Sequence, residues 1–154
     1  MLRISKLTDY AIVVLTRMAR EPAVTHNAAQ LAADVRIAAP TVSKILKTLT
    51  RGGLVVSRRG AHGGYCLARA PEKTNVADVI DAMEGPISLT ECAEAVGNCA
   101  QEPVCSVRGN WQWINRAIRI ALESVTLAEM VRDEAGTATV TLQDFRGRMT
   151  EVGA

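Results

Sequence analysis

Three of the four cysteines in this chain lie close together in one short, loop-like stretch. Cys92, Cys99 and Cys105 are separated by six and five intervening residues, and no histidine lies near them. In a reducing compartment, clustered thiols favour metal binding or redox chemistry over disulfide bonds. The fourth, Cys66, lies apart from them in a predicted strand, where it is expected to be a small packing residue.

The spacing of these thiols restricts the chemistry that they could perform. Structural zinc usually requires a Cys-x(2–4)-Cys pair, which is absent here. The sequence also contains no His-containing metal motif, no P-loop and no dinucleotide-binding fingerprint. A thiol oxidoreductase or a zinc hydrolase is therefore disfavoured, and neither an enzymatic activity nor a small-molecule substrate is expected. Three unliganded structural cysteines remain an alternative.

The sequence carries no recognisable targeting or membrane segment. Its longest apolar run, from Ala11 to Leu15, is too short to cross a bilayer. Met1 is followed by Leu2-Arg3-Ile4-Ser5-Lys6, with no long apolar region and no small-residue cleavage site. We therefore expect a cytoplasmic protein that has no membrane partner and keeps its thiols reduced.

Charge is distributed unevenly along the 154 residues. Residues 1–70 contain eleven Lys or Arg and three acids, which gives +8, whereas residues 71–154 contain seven bases and thirteen acids, which gives −6. A basic half joined to an acidic half indicates a polyanion-binding module attached to a second functional unit.

Apolar periodicity predicts a mainly α-helical chain with a small β-hairpin. Helices are expected near residues 7–20, from Thr25, from Pro40 to Gly52, from 74 to 84 and, as one long helix, over 110–131, with hairpin strands on either side of the tip at 57–64. The expected organisation is a winged helix-turn-helix domain over 1–70, a cysteine loop and long dimerisation helix over 71–132, and a flexible tail over 133–154.

The outer face of the third predicted helix and the hairpin tip are polar and basic. Short side chains near the start of such a helix can approach base edges in the major groove, and cations further along can contact phosphates. A solvated polar helix face is the alternative, but the order of the elements and the local charge favour binding to a double-stranded DNA operator. The candidate DNA-binding residues are Thr41, Ser43, Lys44, Lys47, Arg51, Arg58, Arg59 and His62.

The long predicted helix carries two apolar stripes. One has heptad-like spacing, and a second occupies a neighbouring face. One stripe is enough to dock the helix on its own domain, so the other favours a homodimer. A helix buried on all sides is the alternative. The residues of the first stripe are Trp111, Ile114, Ile118, Ala121, Val125 and Ala128, and those of the second are Trp113, Ala117, Ile120, Leu127 and Val131.

The run LTDYAIVVL, the wing SRRGAHGGYCLARAPE, the three spaced cysteines and the long helix together resemble one known family. It is the IscR/NsrR-type, or Rrf-type, family of winged-helix transcription regulators, and the chain looks most like regulators of the SUF iron–sulfur assembly system. The similarity spans about residues 1–132. It implies a regulator of iron–sulfur assembly genes whose cysteines bind an iron–sulfur cluster, with operator binding controlled by the state of that cluster.

The resemblance implies that Cys92, Cys99 and Cys105 are cluster ligands, with a 2Fe–2S cluster favoured over a 4Fe–4S cluster. Some members use a histidine three residues beyond the last cysteine, and that position here is Arg108. Others use an acid from the first helix of the partner subunit, and the matching residue here is Asp9. An acid near a helix N-terminus also interacts favourably with the helix dipole. A cluster-free regulator that responds to a metabolite or a partner protein is the main alternative.

Overall fold

The computed structural model describes residues 3–60, 63–95 and 97–133. In chain order, the elements are α1 (Lys6–Ala19), α2 (Ala28–Val35), α3 (Ala39–Arg51), β1 (Val55–Arg58), β2 (Gly64–Leu67), a 3-10 turn (Pro71–Lys73), α4 (Val76–Glu84), α5 (Glu91–Glu94), a second 3-10 turn (Glu102–Val104), α6 (Arg108–Glu123) and α7 (Leu127–Asp133). The predicted mainly α fold with a two-stranded antiparallel hairpin is confirmed. None of the helices in these ranges is both long and apolar enough to span a membrane.

Helix α1 lies at the centre of the fold and packs against α2, α3, α4 and α7. Its apolar residues recur at helical spacing, and four of them are completely buried: Ala11, Val14, Leu15 and Met18. Helix α3 adds a second buried stripe, formed by Val42, Ile45, Leu46 and Leu49. Because the buried stripe of α3 faces α1, its polar residues are left on the outer surface.

The connection into α2 differs from the sequence prediction. The expected N-cap, Thr25, is wrong, because Asn27 caps the helix by accepting a hydrogen bond from Ala29 N at 2.8 Å. Thr25 precedes His26, which exchanges two backbone hydrogen bonds of 2.8 Å with Tyr65 of β2. This pairing ties the hairpin to the start of α2 and fixes the wing relative to the helix-turn-helix.

The C-terminal helix expected over residues 110–131 is wrong as one continuous element, since three residues separate α6 from α7. The linking backbone pairs with the segment before α4. Val76 N donates to Val125 O at 2.9 Å, and Leu127 N donates to Thr74 O at 2.9 Å. These two hydrogen bonds occupy backbone groups that would otherwise bond within a continuous helix, so the helix is interrupted here.

Helix α7 then turns into the core of the same chain. Thr126 and Glu129 cap it reciprocally, with Thr126 N donating to Glu129 Oε2 at 2.7 Å and Glu129 N donating to Thr126 Oγ1 at 3.2 Å. Leu127 is completely buried, and Val131 packs against the same core. Both residues were predicted on the second apolar stripe, so that stripe does not continue past α6.

Candidate functional site

The outer face of α3 presents the predicted DNA-binding side chains to solvent. Ser43, Lys44, Lys47 and Arg51 are exposed, and Thr41 is half-buried on the first turn. Exposed cations placed behind short hydroxyl side chains on one helix face suit a helix that enters a major groove.

The wing extends the same basic surface. Arg58 ends β1 and Arg59 follows it, and both side chains are exposed. His62 lies outside the described residues. Gly64 begins β2 where this strand approaches the segment before α2 closely, because a Cβ atom there would lie 2.5 Å from His26 O. A glycine is therefore required for the wing to reach the start of α2.

The cations of α3 and the wing lack the acidic partners that several other cations in the fold have. Hydrogen bonding to Glu21, followed by attraction to Glu21 and Asp34, raises the pKa of Arg17 above its ordinary value. Arg69 is similarly paired with Asp78 at 3.0 Å. In contrast, no acid in the described ranges forms an ion pair with Lys44, Lys47, Arg51, Arg58 or Arg59. Unpaired, exposed cations are available to replace counterions on DNA phosphates.

The three clustered cysteines lie on α5 and the turns that follow it. Cys92 is buried on α5, with its Sγ 3.3 Å from Thr90 Oγ1, whereas Cys99 and Cys105 are half-buried. Within the described part of the chain, no three His, Cys, Asp or Glu side chains come together as a metal site. Asp9, the proposed fourth ligand, is exposed on the first turn of α1.

The chain leading to Cys92 is fixed to α6 and α4 by side-chain amide and carboxylate groups. Asn115 on α6 accepts from Leu89 N and donates to Ile87 O, both at 3.1 Å. Asp81 on α4 accepts from Ile87 N at 3.3 Å and from Arg119 at 2.8 Å. Because both sides of the segment are held, the position of Cys92 is coupled to the packing of α6 on α4.

A second set of contacts, which we call the brace, lies within the cysteine segment, the stretch from Cys92 to Cys105, and at its junction with α6. Glu102 Oε1 is 2.6 Å from Arg108 Nη2, and Glu102 Oε2 accepts from Gly97 N at 2.6 Å. Glu102 N also donates to Cys99 O at 3.0 Å. The Glu102 carboxylate therefore joins Gly97, which follows α5, to Arg108 at the start of α6.

Helix α4 is also fastened to the beginning of α1. Glu84, the last residue of α4, accepts hydrogen bonds from the Thr8 hydroxyl and from Ser5 N, the latter at 2.9 Å. These bonds, with Thr8 the largest contributor, hold the pKa of Glu84 below its ordinary value. The end of α4 is therefore bonded to Thr8, the residue that directly precedes Asp9 on α1.

Sequence reasoning missed the residues that anchor these segments. Asn115, Asp81 and Glu84 lie on amphipathic helices, where polar residues are expected without any special role. Only Glu102 could have been suspected from the sequence, because it lies six residues before Arg108, the only Lys or Arg between residues 74 and 115. Their partners are distant in sequence, so only the fold brings them together.

The thiol set suits iron by donor type. Thiolates are soft ligands that hold iron–sulfur clusters, and a buried donor at Arg108 Nε faces no acceptor in the described residues. The residues present therefore fit such a group chemically.

Comparison with known proteins gives a consistent set of relatives. The Rrf2 family model, described as an iron-dependent transcriptional regulator, matches residues 4–133. The transcriptional regulator NsrR of Geobacillus kaustophilus is 31% identical over 148 residues, covering 95% of this chain and 100% of that protein.

Two solved structures share the fold. CymR, the global cysteine regulator of B. subtilis, has a TM-score of 0.67 and 27% identity, covering 86% of this chain and 98% of that one. IscR of T. potens has a TM-score of 0.66 and 26% identity, covering 92% and 96%. The chain is similar in sequence and fold to these regulators over most of its length.

Proposed function

The chain belongs to the Rrf2 family of transcriptional regulators, and from this premise we propose that it senses iron–sulfur status through its clustered cysteines. The family predicted from the sequence motifs is confirmed. The proposal assigns α3 and the wing to an operator in double-stranded DNA, and Cys92, Cys99 and Cys105 to an iron–sulfur cluster. The proposed targets are genes for iron–sulfur cluster assembly. The carrying observation is that three thiols share one acidic segment that is fastened to the helices behind the DNA-binding face.

The proposed DNA contacts divide by chemistry. Thr41 and Ser43 are short enough to approach base edges, while Lys44, Lys47 and Arg51 follow them on the same face and would contact phosphates. Arg58 and Arg59, together with His62, would reach the adjacent groove from the wing. The domain boundaries at residues 70 and 132 stay part of this proposal.

The proposed homodimer rests on the exposed apolar surface of α6. No residue of α6 is fully buried in the single chain, and Trp111 and Trp113 remain 39% and 61% exposed. Large aromatic surfaces left open on one helix are typical of an interface. The α6 helix of a second copy would cover these side chains. The dimer would then present two α3 helices to one face of the DNA duplex. Sedimentation equilibrium should give a dimer, and Trp113→Asp should shift the protein toward monomer.

The proposed sensing mechanism uses contacts that the chain itself provides. When bound, an iron–sulfur cluster would supply a redox- and iron-sensitive link among the thiols. Asn115 and Asp81 hold the segment before Cys92, and Glu84 joins α4 to α1, which packs directly against α3. A change in the cysteine segment can therefore bias the position of α3 through directly contacting elements. Such coupling requires different contacts in the two states.

Asp9 of a second copy is proposed as the fourth ligand. Its carboxylate is exposed on α1 and forms no hydrogen bond or ion pair within the described ranges. A carboxylate is a harder and more labile iron ligand than a thiolate, which suits a cluster that must be lost or modified. Because α1 contacts α3, an Asp9 ligand would link the metal site of one subunit to the DNA-binding helix α3 of the other.

A matched pair of cysteine variants tests the proposal. Protein purified without oxygen should contain iron and acid-labile sulfide and should show charge-transfer absorption. Cys92→Ala should abolish all three signals, whereas Cys66→Ala should keep them, because Cys66 lies in the wing with its thiol near Val56 O. Colourless wild-type protein with stoichiometric zinc would contradict the proposal.

A cluster-free regulator is the second candidate, and one cavity favours it. A groove of about 450 Å³ lies between the segment before α1, the end of α4 with the residues after it, and α6. Its lining includes Ile4, Ile80, Ile87, Trp111 and Ile118. A volume of this order is sufficient for a small metabolite. Oxygen-free protein that lacks iron yet changes its operator affinity when a metabolite is added would favour this second candidate.

A further inference from the structure

Arg108 has an unusual environment for a surface cation. It begins α6, three residues after Cys105, and its Nη2 is paired with the carboxylate of Glu102. Its Nε is buried and, among the described residues, is the only buried side-chain nitrogen or oxygen without a hydrogen-bond partner. Buried donors are nearly always satisfied, so a buried donor without a protein acceptor is available to a group that the chain binds.

The charge around the cysteines identifies the kind of acceptor. Arg108 is the only Lys or Arg between residues 74 and 115, a stretch that contains six Asp or Glu. Iron is held by thiolates rather than thiols, so the loaded segment gains negative charge where acids already predominate. One cation beside the last cysteine opposes that repulsion.

The brace keeps this cation at the cysteine segment. The side chain of Glu102 is only 8% exposed, and it binds both Arg108 and Gly97 N. A nearly buried carboxylate with two charge-assisted or backbone partners holds its arginine in one orientation. Arginine itself is not a metal ligand, because its guanidinium stays protonated and carries no free lone pair at physiological pH.

We infer that Arg108 is a hydrogen-bonding cation for the iron-loaded cysteine segment, and that Glu102 is the residue that positions it. Its free Nε–H donates to a ligand sulfur, and its charge stabilises the more negative, reduced state of the bound group. This role rests on the proposed function, because it assumes that the cysteines bind iron.

Two substitutions separate the charge of Arg108 from the planar geometry of its guanidinium group. Arg108→Gln keeps an N–H donor but removes the charge, and Arg108→Lys keeps the charge but removes the planar fork. The reduction midpoint should fall in Arg108→Gln and return toward the wild-type value in Arg108→Lys. A tenfold change in relative affinity for the two oxidation states equals about 59 mV for one electron, which is the minimum fall expected.

Iron retention against a chelator provides the second readout. Loss of an outer-shell partner typically weakens metal binding about 10–100-fold, so Arg108→Gln, Arg108→Lys and Glu102→Gln should all release iron faster. Arg116→Gln is the control, since it makes the same charge change at an exposed position on the same helix. Thermal unfolding should show that each metal-free variant is folded at the assay temperature, with a lower melting temperature only where the Arg108–Glu102 pair is lost.

The outcomes distinguish this inference from the proposed function. Iron-loaded Arg108→Gln with wild-type potential and wild-type iron retention would overturn the role of Arg108 and leave the cluster intact. Arg116→Gln with the same potential shift as Arg108→Gln would also overturn it, because the effect would then be a general one. Wild-type protein that takes up no iron would overturn the proposed function and this role together.

Discussion

Replacing Lys47 by alanine should make operator binding less sensitive to salt by a calculable amount. The structure leaves five cations on α3 and the wing without an acidic partner in the described ranges, and a dimer would present ten of them. If each neutralises one phosphate, the slope of log K against log salt is about −9. The Lys47→Ala dimer loses two of these contacts, so its slope should be about −7.2.

The difference is large enough to measure by fluorescence anisotropy. Raising salt from about 50 to 200 mM should weaken the variant roughly 12-fold less than it weakens wild type, because the two slopes differ by about 1.8. Lys73→Ala is the matched control, since Lys73 is exposed in the 3-10 turn that packs against α7. An unchanged slope in Lys47→Ala, or the same change in Lys73→Ala, would refute the placement of α3 on the phosphate backbone.

Three further predictions concern the stability of the fold. Leu127→Ala should lower the free energy of unfolding by about 2–5 kcal/mol in urea titrations, while Val104→Ala, at a site that is 79% exposed, should change it by less than about 0.5 kcal/mol. Because the pKa of Glu84 is lowered in the folded chain, its contribution is present above the ordinary value of 4.5 and is lost as pH falls through the folded pKa. Glu84→Gln should therefore flatten the urea midpoint against pH in that acidic range, and an unaltered pH profile would contradict this assignment. Gly64→Ala should lower the melting temperature, because its Cβ would press on His26 O, and a wild-type melting temperature would show that the wing tolerates the side chain.

The sequence pattern predicted α1 and α3 because local rules determine them, although it placed the cap of α2 at Thr25 instead of Asn27. The stripe of α3, its end near Gly52 and the capping of α4 at Asn75 follow from periodicity and from short-range hydrogen bonding. The break between α6 and α7 did not follow, because a heptad-like stripe continues across it in sequence. Its cause is non-local: Val125 O accepts from Val76 N, which lies far away in the chain.

The candidate site was proposed from residue types and spacing, not from its arrangement in the fold. Cysteine spacing indicated metal chemistry, and charge indicated the DNA-binding half, since both are properties of residue type. The contacts that link the two parts involve pairs such as Asn115 with Ile87 and Glu84 with Thr8, which are 28 and 76 residues apart. Such pairs depend on tertiary packing, and no single-sequence pattern encodes them.

Operator affinity measured without oxygen, for one preparation with its iron–sulfur cluster and for the same preparation after the metal is removed, tests the central claim most directly. Coupling between two sites in a regulator commonly amounts to about 5–150-fold in affinity. We predict a difference in that range for wild type, and none for Cys92→Ala, which should behave as the metal-free protein. Equal operator affinity for cluster-loaded and metal-free wild type would contradict the claim that the cysteine segment governs DNA binding.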